Sequence, residues 1–158
     1  MSRSFRVVVD DERKNPDPAL PVDVERWAGL VSDVLDAEGL GHREVEVHVH
    51  FVDEGPMANL NAEHMGGNGP TDVLSFPVDN PAEVAAEVPV LLGDVMVCPS
   101  IASRQASCHT GDYPSEVALL LVHGLLHLLG HDHANPIEEA AMQVREREHL
   151  ARYGLVLP

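Results

Sequence analysis

The segment His123 to His133 reads HGLLHLLGHDH. His123 and His127 stand four residues apart. On an α-helix four residues turn through about 400°, so both imidazoles leave the same face, one turn apart. Gly130 can take the left-handed conformation that stops a helix and turns the chain. His133 can then swing back toward the first two rings. Three neutral imidazoles leave a tetrahedral zinc ion one open position, the arrangement of a catalytic rather than a structural site. Zinc held this way lowers the pKa of bound water to about 7 and so supplies a hydroxide at neutral pH. The expectation is one zinc ion on His123, His127 and His133. His131 is read as the spare, facing outward from the turn, and His42, His64, His109 and His149 as solvated. The competing reading, unrelated core and surface histidines, requires three ligands and a helix-stopping glycine to coincide at this spacing.

Proton transfer is less well provided for. The same spacing occurs in the metzincin peptidases, where a glutamate follows the first histidine and acts as general base. Here that position is Gly124, which has no side chain to move a proton, so a peptidase of that mechanism is disfavoured. Asp132 is the nearest carboxylate and the candidate catalytic residue. Two roles stay open for it: orienting a ligand histidine from outside the ligand set, or capping a turn.

Elsewhere the chemistry is sparser. Glu44 to Val52 alternates strictly, with Val45, Val47, Val49 and Phe51 on one side and Glu44, Glu46, His48 and His50 on the other, the pattern of a half-buried strand. His48 and His50 are read as solvated surface histidines, because no carboxylate or cysteine shares their spacing. Cys98 and Cys108 have nine residues between them and match no zinc or redox motif. They read as small, reduced, semi-buried residues.

The elements that must position the histidines follow from periodicity. Strands are expected at Phe5 to Val9, Glu44 to Val52, Val73 to Phe76 and Leu91 to Val97. Gly93 and Asp94 inside the last one suggest a bulge or a close approach to the backbone. Helices are expected at Pro21 to Glu38, Pro56 to His64, Pro99 to Ala106, Tyr113 to Leu129 and Ile137 to Tyr153, with an exposed loop over Asp79 to Pro89. The Tyr113 helix is apolar on nearly every side and should be buried. The fold class is therefore α+β: a single domain, residues 1–158, with a mixed sheet of about four strands packed with about five helices. The metal site lies on the buried helix and the turn after it.

Composition sets the outer limits. A chain of 158 residues is one domain in size, and 44% hydrophobic residues suffice for a core. No apolar run is long enough to span a bilayer, and the first residues have no secretory pattern, so a cytoplasmic location and no membrane partner are expected. The chain carries 26 acidic and 10 basic side chains, for a net charge of -16. Such a chain should not adhere non-specifically to nucleic acid, because phosphate binding needs clustered positive charge.

The motifs pull the other way. HGLLHLLGHDH, with GPTDVLSFP at 69–77 and LLGDVMV at 91–97, resembles the YbeY family of bacterial ribosomal-RNA maturation factors, and the resemblance runs from about Phe5 to Tyr153. It implies a metal-dependent, single-strand-specific endoribonuclease with one zinc on the histidines matching His123, His127 and His133. It also implies processing of 16S rRNA, notably its 3′ end, a part in ribosome quality control, and small-subunit proteins and an Era-type GTPase as partners; DNA is not implied. Ser75 and Asp94 become candidates to line the metal cleft. In much of the family an arginine precedes the glycine of the loop before TDVLSFP; here that position is Met65. Arg104 becomes the next candidate for a phosphate contact, beside the plain reading of a surface arginine.

Three functions then compete. The first is the zinc-dependent endoribonuclease. The second is a non-catalytic ribosome assembly factor with a structural zinc, kept alive by the missing glutamate and arginine. The third, a metzincin-like zinc peptidase, is weakened by Gly124. For the first, the net charge of -16 predicts weak binding to free RNA, with a cation drawing phosphate into the cleft locally and partners supplying specificity.

Overall fold

The computed structural model describes residues 4–155. The β-branched run after Phe5 forms β1 (Ser4–Asp11), and the alternating segment forms β2 (Glu44–Phe51), with its valines and Phe51 buried. TDVLSFP supplies β3 (Val73–Pro77), and LLGDVMV lies in β4 (Val90–Val97). The sheet is mixed, in the order β1-β2-β4-β3; β1, β2 and β4 are parallel and β3 runs antiparallel at the edge. The parallel pair β1 and β2 needs a crossover, which α1 (Val24–Leu35) provides.

The other helices are α2 (Glu54–Met65), α3 (Pro99–Ala106), α4 (Tyr113–Leu128) and α5 (Pro136–Arg152). Four strands and five helices in one α+β domain agree with the sequence reading; residues 1–3 and 156–158 of that expected domain lie outside the described residues. Boundaries moved where capping decides them. The helix expected from Pro21 starts at Val24, because the Asp23 carboxylate accepts the Arg26 N–H at 3.1 Å. Its C-terminal end widens into a separate turn over Asp36–Leu40, where Gly39 has φ 88°. The loop expected over Asp79 to Pro89 contains one short 3₁₀ turn, Pro81–Glu83.

The two faces of the sheet are covered unequally. On one face α1 and α4 bury Val47, Val49, Val95 and Val97 against Leu30, Leu121 and Leu125 in the main core. On the other, Val52, Met57, Leu74 and Cys98 form a smaller apolar cluster, and His48, His50 and Asp94 are half-buried beside it. Gly93 fulfils both expectations for it. The β2–β4 register shifts between Glu46 and Val47, so β4 bulges there. With φ 140°, a Cβ on Gly93 would lie 2.3 Å from the Phe76 carbonyl oxygen, so β3 can pair this closely only with glycine there.

Among the described residues, no helix is long and apolar enough to cross a membrane.

Candidate metal centre

Helix α4 is fixed at both ends. Asp112 accepts the Ser115 N–H at 2.8 Å, and Pro114 occupies the first turn, where its missing N–H is harmless. At the other end Gly130 has φ 98°; its N–H donates to His127 O at 3.1 Å, and the His131 N–H donates to Leu126 O at 2.9 Å. This paired closure reverses the chain right after the second histidine. His133 is thereby delivered back to the helix.

The three predicted ligands do meet. One ring nitrogen from each of His123, His127 and His133 lies within 4.8 Å of the others. His123 Nε2 and His127 Nε2 are 3.1 Å apart, and ring centroids are separated by 4.6 to 5.5 Å. Zinc–nitrogen bonds of about 2.0–2.1 Å in a tetrahedron put donors roughly 3.3 Å apart, so this donor set fits such an ion with small side-chain adjustment. Burial, and then the neighbouring His123 and His133, hold His127 below the usual histidine pKa. A neutral imidazole keeps the lone pair that a metal needs.

A carboxylate fixes one ring from behind, but it is not the expected one. Glu146 of α5, almost buried, accepts from His123 Nδ1 at 2.5 Å, which turns Nε2 toward the other two rings. Asp132 is exposed, and its Oδ1 accepts the backbone N–H of His133 at 2.7 Å. Of the two roles left open for Asp132, the contact seen is the turn cap, and the orienting carboxylate comes from another helix. Glu146 is one of four glutamates on a charged helix and carries no spacing to the histidines, so the sequence held no signal for it.

The turn is itself pinned. Glu38, in the Asp36–Leu40 turn after α1 and with a side chain only 8% exposed, pairs with Arg145, with His149 Nε2 at 2.7 Å and with His131 Nε2 at 3.5 Å. Two expectations are corrected here. His149 is buried rather than solvated, and His131 is half-buried against Glu38 rather than turned outward. Burial pushes the His149 pKa down against the pull of Glu38. His42, His64 and His109 are exposed, as expected, although His109 Nδ1 donates to buried Glu116 at 2.9 Å.

The cleft in front of the rings has a volume of about 470 Å³ and is floored by β3, with Ser75 and Asp72 on one side and Asp132 and Met65 at the rim. Met65, the position of the family arginine, is 58% exposed at that rim. Ser75 lies in the cleft as expected, and its hydroxyl donates to the Gly124 carbonyl at 2.9 Å. Asp72 is tied back into the core: Gln105 Nε2 donates to Asp72 at 2.9 Å and to Glu116 at 2.8 Å. Glu116 has no exposed surface; burial pushes its pKa up, but hydrogen bonds from Thr110, His109 and Gln105 outweigh this and hold it below the usual carboxylate value.

Three further expectations are corrected. Asp94 points to the opposite face of the sheet, because Val95 beside it faces α4. Arg104 does not reach the cleft; it is exposed on α3 and pairs with Glu54 at 3.2 Å. Among the described residues that line the cleft, none is an arginine or lysine. His48 and His50 are not free surface histidines. His48 Nε2 meets Glu46 at 2.7 Å; His50 meets Glu12 through Nδ1 at 2.5 Å and Asp94 through Nε2 at 2.9 Å. Burial pushes the His50 pKa down, and those two carboxylates outweigh it and raise it.

Gly124 has a structural reason. A Cβ there would lie 2.7 Å from Val95 Cγ1 and 3.2 Å from Ser75 Oγ. The helix rests on the sheet at this point, so a glutamate of the peptidase pattern would be driven into β3 and β4.

Comparison with known proteins agrees with this architecture. The family model described as "Endoribonuclease YbeY" matches residues 12–154. Proteins named endoribonuclease YbeY are similar to the chain: one from Thermobifida fusca is 45% identical over 84% of this chain and 86% of its own length. One from Salinispora tropica is 42% identical over 84% and 88%, and one from Clavibacter michiganensis is 40% identical over 89% and 94%. A Thermotoga maritima protein solved in solution shares the fold, with a TM-score of 0.56 at 22% identity, over 95% of this chain and 91% of that one.

Proposed function

The chain belongs to the endoribonuclease YbeY family, and from that premise we propose that it hydrolyses unpaired RNA during ribosomal-RNA processing, including maturation of the 16S rRNA 3′ end and ribosome quality control. The observation that carries this reading is the convergence of three imidazole nitrogens within 4.8 Å at the edge of an open cleft. His123, His127 and His133 would hold one zinc ion. When bound, the ion supplies a Lewis acid for a phosphate oxygen and lowers the pKa of water.

The chain's own groups do the rest. Glu146 holds a proton on His123 Nδ1 and so keeps Nε2 free for the ion. Burial keeps His127 neutral. The Asp132 carboxylate, steadied by the His133 N–H at 2.7 Å, stands at the cleft rim, where it can accept a proton during attack. Single-stranded RNA is the suited substrate, because a duplex hides its bases and holds its backbone poorly for in-line attack. The cleft lining contains no arginine or lysine among the described residues, and the net charge is -16. Small-subunit proteins and an Era-type GTPase in the cytoplasm would therefore present the RNA, and binding to free RNA is weak.

The same missing cation favours a second reading, a non-catalytic ribosome assembly factor with a structural zinc. Zinc-loaded wild type and His127→Ala, each given a 16S precursor, separate the two. Cleavage by the wild type alone supports the nuclease. Equal processing by both proteins would remove the metal centre from catalysis. Assembly activity without any RNA cleavage would establish the second reading.

A further inference from the structure

We propose that the far face of the sheet carries a second divalent-cation site, formed by His48 and His50 of β2 and Asp94 of β4, for an ion of the zinc class. The sheet register creates it. His48 and Asp94 are paired neighbours on adjacent parallel strands, and His50 lies two residues on, on the same side. The two rings are nearly parallel, 16° apart in tilt with centroids 6.2 Å apart. One donor atom from each of the three residues lies within 4.8 Å of the others. Closing to the roughly 3.3 Å spacing of a zinc ligand set needs only side-chain rotation, and all three side chains are partly exposed, at 28%, 20% and 41%.

The surroundings match those of a metal-binding histidine. Glu12, just past the end of β1, meets His50 Nδ1 at 2.5 Å, the place of the carboxylate that fixes a ligand imidazole from behind. His50 Nε2 donates to Asp94 Oδ1 at 2.9 Å, and a cation would take the place of that proton. Glu46 lies 2.7 Å from His48 Nε2, near enough to become a fourth donor; Arg6, 4.0 Å from Glu46, is a mostly exposed counter-charge. Three carboxylates around two imidazoles leave a negative patch that attracts a cation. Two imidazoles with carboxylate suit zinc and its neighbours rather than magnesium or calcium, which prefer all-oxygen shells. Partly exposed ion pairs add little to stability, so folding gives little reason for five such groups from three segments to converge. Bound here, the ion would clamp the end of β1 to β2 and to the bulge of β4.

Zinc stoichiometry tests this. Chelator-stripped protein is dialysed against micromolar free zinc, and bound metal is measured. The expected result is two ions in the wild type, one in His48→Gln/His50→Gln and one in His127→Ala. One ion in the wild type that is lost in His127→Ala overturns the proposal, as does a second ion that persists in His48→Gln/His50→Gln. If instead the wild type's only ion disappears in His48→Gln/His50→Gln and survives in His127→Ala, this site stands and the three-histidine centre falls. Circular dichroism of the stripped variants checks folding. The nearly isosteric Asp94→Asn repeats the measurement if the double variant unfolds, with loss of one ion expected and retention of both against the proposal.

Discussion

The two faces of the sheet each carry a histidine cluster, and the two are built in opposite ways. On the α4 face the three rings come from one helix and the turn that closes it, and two of them face each other at 3.1 Å. A single carboxylate, Glu146, stands behind them, and burial keeps His127 neutral. On the far face two rings come from one strand and their carboxylates from its own and neighbouring segments, so that His50 is held between Glu12 and Asp94 with a raised pKa. In the first cluster burial favours the neutral ring of His127. In the second, two carboxylates favour the charged ring of His50, so an ion bound there would displace a proton. A helix can offer several like groups on one face, whereas a sheet mixes groups from different strands, and this difference sets the chemistry of each cluster.

Substitutions in and between the two clusters should differ in the size of their effects. The largest is His127→Ala, which removes a central nitrogen of the α4 cluster. RNA cleavage in a precursor assay should fall by more than about 100-fold, beyond the 10–100-fold typical of losing a supporting group. Undiminished cleavage would move catalysis away from this face. Next is Glu146→Gln. The near-isosteric amide no longer holds the His123 Nδ1 proton as a carboxylate does, and zinc affinity by competition with a chelating dye should drop by about 10–100-fold. An unchanged affinity would mean that Glu146 packs α5 without supporting the ligand. Smaller again is Ser75→Ala, which deletes the hydroxyl bond to the Gly124 carbonyl at the sheet that separates the clusters. A stability loss of about 1 kcal/mol is expected by urea denaturation.

The smallest effect is the pH dependence of the metal-free protein, where the clusters should act with opposite sign. His127 has a lowered folded pKa, so between its folded value and the ordinary 6.5 the unfolded chain binds more protons, and stability falls as pH drops through that range. His50 has a raised folded pKa. Its contribution is complete below about 6.5 and is lost as pH rises through the folded value. Melting temperatures of stripped protein across this range should lose their acid-side slope in His127→Ala and their neutral-side slope in His50→Gln. Identical profiles in wild type and both variants would refute the assignment of charge states.

Glu12, Glu46 and Asp94 lie on the sheet face away from the cleft, and several arginines are occupied: Arg13 by Asp11, Arg43 by backbone carbonyls near Pro81, and Arg145 by Glu38. Arg104, chosen from sequence as a phosphate contact, is held by Glu54. A sequence count of basic residues does not show which of them an acidic chain has already neutralised.

What could be read from the sequence is whatever depends on local periodicity. The i, i+4 spacing of His123 and His127 and the position of Gly130 are properties of one helix and its end. They specified how the histidines converge because a helix repeats on its own hydrogen bonds, wherever it is placed. The alternation of Glu44 to Phe51 likewise gave a strand with one buried face. Glu146, Glu38, the partners of His50, and the contact that leaves no room for a side chain at Gly124 could not be read in this way. Each depends on residues from 23 to 111 positions away, brought together by strand register and helix packing. Local periodicity set the helix-borne histidine pair and the α+β pattern. Which carboxylates face which imidazoles is set by packing of the whole core, because side-chain pairing across elements has no local period.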